Sequence, residues 1–271
     1  MNQTILIISF LLFNLVSYCQ PNKMTPVSDS TVALGIIQAD VFLGNSFSDR
    51  NFYTDKYLDK NTVVILCGAK NGVSDNKSFE VVYNNKTYFV DVNNVETNPI
   101  NFEIFNSANL DTSLKFRKAA INMGKVLYAE KLEKAFSWID STKPYGIVLT
   151  KNNVYDESEY TDGTGVEFEI TNTSKKTIKY VTFNFTGYNA VNDKVITAKT
   201  SLKSRKGIGP IGPGEGGSYT FEYVWFTDIV EYMKVNSIKL QYTDGTFKTI
   251  TNISSIKMPI EYKTLLDEYE E

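Results

Sequence analysis

From Val166 to Thr171 apolar and polar residues alternate without a break: Val166, Phe168 and Ile170 fall on one side, Glu167, Glu169 and Thr171 on the other. A period of two over this length predicts a strand with one buried face. The polar run Asn172-Thr173-Ser174-Lys175-Lys176 interrupts it, and a second β-branched and aromatic stretch, residues 177–185, follows. Two such stretches around a short polar turn predict a hairpin. Farther on, Tyr219, Phe221, Tyr223 and Trp225 alternate with Thr220, Glu222 and Val224, and Ile238, Leu240 and Tyr242 alternate with Lys239 and Gln241. Asp244-Gly245 predicts a turn into residues 247–253, and residues 145–153 predict a first strand with Ile147 and Leu149 on one side. The glycine- and proline-rich segment 207–217 reads as a loop. Short strands at this spacing, with no helix between them, predict a β-sandwich over residues 145–258.

Upstream the pattern is shorter-ranged. Residues 31–37, 41–43, 63–67, 78–83 and 87–92 are strand candidates, and Asn84-Asn85 marks a tight hairpin because Asn tolerates positive φ. Residues 46–57 read as a long polar, aromatic loop. These segments predict a small β-domain over residues 31–97. From Asp111 the period changes: Leu114, Phe116, Ala119, Ala120, Met123, Val126 and Leu127 recur at steps of three and four. Asp111 serves as the expected N-cap, Gly124 as a possible bend, and Pro144 as the stop, which gives a helical connector over residues 98–144. Its lysines are interrupted by Glu130 and Glu133, which favours a solvated face over a membrane-surface helix.

The first residues change the expected compartment. Residues 5–16 are apolar but too short to span a bilayer comfortably, and Ser17-Tyr18-Cys19-Gln20-Pro21 follows, which is the shape of a signal peptide over residues 1–19. The expectation is export, to the periplasm or the cell surface, and the bulky Tyr18 favours free export over lipid attachment at Cys19. A flexible lead-in, 20–30, and an acidic tail, 259–271, complete the plan. No later segment approaches the roughly 20 apolar residues of a membrane helix. With Cys19 removed, Cys67 stands alone in an apolar run and reads as a small core side chain. The formal charge of -3 supplies no basic surface for nucleic acid, so none is expected as a partner.

Two resemblances bear on the fold. Leu58-Asp59-Lys60-Asn61-Thr62-Val63-Val64-Ile65-Leu66 and, after it, Phe79-Glu80-Val81-Val82-Tyr83-Asn84-Asn85-Lys86-Thr87-Tyr88-Phe89-Val90 resemble the bacterial Src-homology-3-like small barrel, departing from it at Asn85 and Tyr88, where that family carries glycine. The second half resembles a recurrent β-sandwich of Gram-negative envelope proteins at Asn172 to Tyr180, Tyr188 to Val191, Gly207 to Pro210 and Tyr219 to Trp225. Together they imply a mostly β protein: a Src-homology-3-like barrel, a long connecting α-helix and an immunoglobulin-like sandwich. The barrel resemblance implies a binding or spacer module for cell-wall material.

The chemistry left open is narrow. The chain has no histidine, which removes every catalytic dyad and metal set built on that residue. The acidic run 156–162 lacks the alternating ligands and closing Glu of a calcium loop, and segment 207–217 lacks the Gly-Lys-Ser/Thr ending of a phosphate loop, so no metal or cofactor is expected. Glu167 and Glu169 share one strand face and read as its solvated side. The expected function is a non-catalytic binding or structural protein of the cell envelope, with cell-wall glycan or another envelope protein as partner. Its candidate ligand residues are Tyr53, Tyr57, Tyr83 and Tyr88, set in an aromatic groove of the barrel. The alternative is a carboxylate-based hydrolase of envelope polysaccharide, which requires two facing carboxylates in a cleft.

Overall fold

A computed structural model describes residues 32–44, 53–71, 77–157, 163–197 and 199–270. The expected signal peptide, Cys19, the lead-in and residues 158–162 of the acidic run lie outside the described residues. The chain is mostly β and divides into two compact units between Glu130 and Lys131.

In the first unit seven strands form one curled sheet, in the order β3 (Tyr53–Leu58), β2 (Val41–Gly44), β6 (Lys86–Asp91), β5 (Lys77–Tyr83), β4 (Val63–Asn71), β1 (Ala33–Ile37) and β7 (Val95–Glu96). The unbroken apolar run in β4 is explained by burial on both sides, since a strand covered on two faces has no polar side to present. Val64 and Leu66 join the core with Val81, Tyr88 and Val90, while Ile65 and Cys67 pack with Val82 and Ala120 on the other face. Two helices supply the cover, α1 (Ile100–Ser107) through Phe102 and Phe105, and α2 (Leu110–Ser141) through Phe116 and Ala120. Asn84 and Asn85 take φ of 44° and 65°, as a primed hairpin turn between β5 and β6 requires. Residues 53–57, expected within a loop, belong to β3, whose Tyr57 pairs with Phe42 of β2 across an edge-to-face ring contact.

One expectation about α2 changes. Asn109, not Asp111, caps it, accepting from the Thr112 amide at 2.9 Å. Gly124 marks a close approach: a Cβ there would stand 2.4 Å from Val82 Cγ1. Arg117 on the same helix reaches Glu80 at 2.7 Å, pairing a carboxylate that is otherwise almost wholly buried in β5.

The second unit is a sandwich of two sheets around one core. A three-stranded sheet runs β12 (Gly216–Trp225), β9 (Thr164–Asn172), β8 (Ile147–Asp156), and a four-stranded sheet runs β11 (Leu202–Ile211), β10 (Ile178–Tyr188), β13 (Tyr232–Tyr242), β14 (Phe247–Ile250). The predicted hairpin of β9 and β10 is therefore an arch: its strands belong to different sheets, and Phe168 lies flat on Phe183 across the core with ring centroids 4.1 Å apart. Asn172 fixes the arch. Fully buried, it donates to the carbonyls of Lys176, Ile211 and Gly212, and it accepts from the amide and hydroxyl of Ser174.

Segment 207–217 is likewise not a loop. Strand β11 runs through Gly207 and Gly209, and a Cβ on Gly207 would stand 2.3 Å from the Tyr219 ring. Gly207 serves close approach between the sheets, Gly209 stands against the Ile178 carbonyl of neighbouring β10, and a true turn remains only at 212–215. The expected acidic tail contains helix α3 (Ile260–Glu270), which buries Leu265 and sets Tyr262 and Tyr269 against Trp138 and Phe136.

Candidate functional site

The four strands of the larger sandwich sheet carry seven cationic side chains and no carboxylate. The three strands of the smaller sheet carry one lysine and four carboxylates. Core formation does not demand the outward part of this segregation, because Lys206, Lys234 and Lys239 alternate with buried positions and face water.

Pairing registers show how the cations are presented. Val181, Phe183 and Phe185 of β10 point into the core, so Tyr180, Thr182 and Asn184 stand on the outer face. Lys206 of β11 and Lys239 of β13 flank Thr182 from either side, and Thr249 of β14 continues the row. The adjoining row is Ile208, Tyr180, Gln241 and Phe247, and the row beyond Thr182 is Ser204, Asn184 and Ser237, where the Asn184 amide donates to Ser237 Oγ at 3.1 Å. Toward the end of the sheet Lys234 stands beside Thr186, and Tyr188 pairs with Tyr232.

Each outward lysine rests on an aromatic ring. The Lys206 ammonium lies 3.7 Å from the Tyr180 ring centroid, and Lys179 lies 5.4 Å from the same ring. Lys239 covers Phe247 at 4.7 Å. Lys234 sits 4.8 Å from Tyr188 and 5.8 Å from Tyr232, whose rings stack in parallel. Among the described residues none of these four lysines is in an ion pair. A ring quadrupole attracts an ammonium by roughly 0.5–1 kcal/mol at an exposed site without neutralising it. The rings thus restrain long, flexible side chains and leave their charge available.

The remaining cations of this sheet are used otherwise. Lys203 and Arg205 alternate onto the opposite side of β11 from Lys206; the Lys203 ammonium donates to Thr197 Oγ1, and burial, then the neighbouring Arg205, lowers its pKa. Lys248 donates to the Pro144 carbonyl. On the outer side of the smaller sheet Lys151 lies 2.6 Å from Glu167 and 3.8 Å from Glu169, so one ammonium bridges both carboxylates, and the hydrogen bond it donates to Glu167 raises its pKa. Glu167 and Glu169 are side by side on one strand rather than facing each other.

Of the tyrosines expected to line a groove, the three with described side chains do not share one exposed face. Tyr88 is buried opposite Val81 in the core of the first unit, and Tyr83, half-buried, packs on that core from the same side of β5. Tyr57 faces the other way with Phe42; desolvation, then its hydrogen bond to Asp40, raises its pKa. Tyr53 opens β3, and its side chain lies outside the described residues. Cys67 is buried, and desolvation, then the charge of Glu80, pushes its thiol well above the usual range, which keeps it protonated. No group of acidic or sulfur ligands among the described residues could hold a metal ion.

The lysine face was missed because its strands are scattered along 178–250, and charge counted along the chain mixes the two sheets. Counting charge strand by strand would have exposed it.

No protein-family profile matches the chain, and no curated protein sequence matches it. Among solved structures, IrmA from Escherichia coli is similar at 8% identity and a TM-score of 0.30, over 41% of this chain and 87% of that one. A hypothetical protein from Peptoclostridium difficile 630 is similar at 11% identity and a TM-score of 0.29, over 46% of this chain and 98% of that one. A DUF1425 family member from Shewanella sp. pv-4 is similar at 15% identity and a TM-score of 0.24, over 33% of this chain and 75% of that one.

Proposed function

We propose that the chain is an exported, non-catalytic binding or structural protein of the bacterial cell envelope, and that the lysine face of its four-stranded sheet takes an anionic ligand. The observation that carries this reading is the segregation of charge: the four strands hold no carboxylate, and of their seven cations Lys179, Lys206, Lys234 and Lys239 stand outward on aromatic rings, in a protein whose net charge is -3. A surface shaped by solubility alone mixes both signs. The proposed architecture is a Src-homology-3-like barrel followed by an immunoglobulin-like sandwich. A 3-10 turn at Val92–Asn94 and the return of β7 to β1 support the first, and the crossing of β9 and β10 between sheets around a buried Trp225 supports the second. The barrel then serves as a spacer or a second contact.

The test is retention of the mature chain, residues 20–271, on isolated envelope material over a salt gradient, beside the Lys206→Glu/Lys239→Glu variant. Retention that weakens with salt and is lost in the variant is the expected result, because exposed charges are screened within about 10 Å at 0.1 M salt. Retention indifferent to both, or no retention, would overturn the reading.

A further inference from the structure

Resting on the anionic-ligand reading, we propose that the ligand is a linear acidic polysaccharide lying across the strands, with carboxylates two sugars apart on Lys206 and Lys239 and a sugar hydroxyl between them on Thr182. The register places these three residues in one row on three adjacent strands. Strands repeat at about 4.8 Å, so the two lysines stem from points about 10 Å apart, comparable with the length of two linked pyranose rings. The groups between and beside them suit a sugar. Thr182 offers a hydroxyl at the midpoint, and Ser204, Asn184 and Ser237 give a neighbouring row of hydroxyl and amide groups. Tyr180 and Phe247 hold the two ammonium groups in place, so less side-chain freedom is lost on binding.

The choice of cation also points away from phosphate. Planar, bidentate recognition of phosphate favours arginine. Arg205, the one arginine of this sheet, alternates to the side opposite the lysine row.

Titration calorimetry with an oligogalacturonate length series tests the inference. One carboxylate per sugar means that a disaccharide cannot reach both lysines, whereas a trisaccharide can. The expected result is a step of about tenfold in affinity between the two lengths, the size of one added charge-assisted contact. Lys239→Gln should abolish the step while leaving disaccharide affinity in place, and Thr182→Val should weaken the trisaccharide about fivefold. Circular dichroism on both variants checks that they remain folded. A smooth length dependence, or equal binding of polyphosphate or of phosphatidylglycerol vesicles at matched charge, would overturn the polysaccharide inference while leaving an anionic face. Absence of binding to all three probes would overturn the anionic-ligand reading itself.

Discussion

The two sheets of the sandwich follow one rule on their inner faces and opposite rules on their outer ones. Inside, Val166, Phe168 and Ile170 of β9 meet Val181, Phe183 and Phe185 of β10, apolar against apolar in a shared core. Outside, β9 presents Glu167 and Glu169 bridged by Lys151, while β10 presents Tyr180, Thr182 and Asn184 between lysines that form no ion pair among the described residues. The core dictates the first pattern, and the same core would form with either outer face. An outer face that folding leaves free is where a binding role can be written. The cost is like-charge repulsion, which the rings under the lysines partly offset.

Perturbations separate the part of this comparison that holds the fold from the part that is free of it. The largest expected effect is Phe168→Ala, which removes the ring stacked on Phe183 between the sheets. A loss of about 3–5 kcal/mol is expected from truncating a buried aromatic. Chemical denaturation monitored by tryptophan fluorescence measures it, and a loss under about 1 kcal/mol would show that the two inner faces do not depend on each other.

Asn172→Ala comes next. It strips hydrogen bonds from the Ile211 and Gly212 carbonyls of the opposite sheet's edge, and unsatisfied buried groups cost about 1–3 kcal/mol. A neutral result in the same denaturation experiment would mean that water replaces the amide and that the arch is not fixed by it.

The smallest effect concerns pH. The carboxyl of Asp244 is held below its usual range by hydrogen bonds from Lys176 and Thr246. A folded pKa below the unfolded one gives stability that is complete above the unfolded value and is lost as pH falls through the folded value. Asp244→Asn should therefore lower the melting temperature slightly across the neutral range and flatten the acid limb, so that the two profiles converge at low pH. An unchanged acid limb would show that this turn contributes nothing to acid sensitivity.

Local patterns were legible in the sequence, and partnerships were not. Alternation located β9, β10, β12 and β13, and the three-four period located α2, because one buried face imposes each period directly. The same alternation serves a hairpin and an arch equally well, so nothing local to 166–185 revealed that β9 and β10 lie in different sheets. Glycine carried two meanings, turn and close approach. Gly207 and Gly124 have the second, which is set by Tyr219 and Val82, residues distant in sequence. Tyr57, Tyr83 and Tyr88 do not share one exposed face for a related reason: on a half-buried strand one register places a ring in the core and the next places it in water. Tyr88→Ala would thus open a cavity rather than test a ligand groove. The lysine face needed the sheet order before it could be seen at all.

The most direct test of the functional contrast between the two faces is an amide-resolved NMR titration of residues 20–271 with oligogalacturonate. Shift changes centred on Thr182, Lys206 and Lys239 and fading across β14, with β8 and β9 unmoved, are the expected result. Changes centred on Glu167 and Glu169, or confined to the first unit, would contradict the assignment of the binding face.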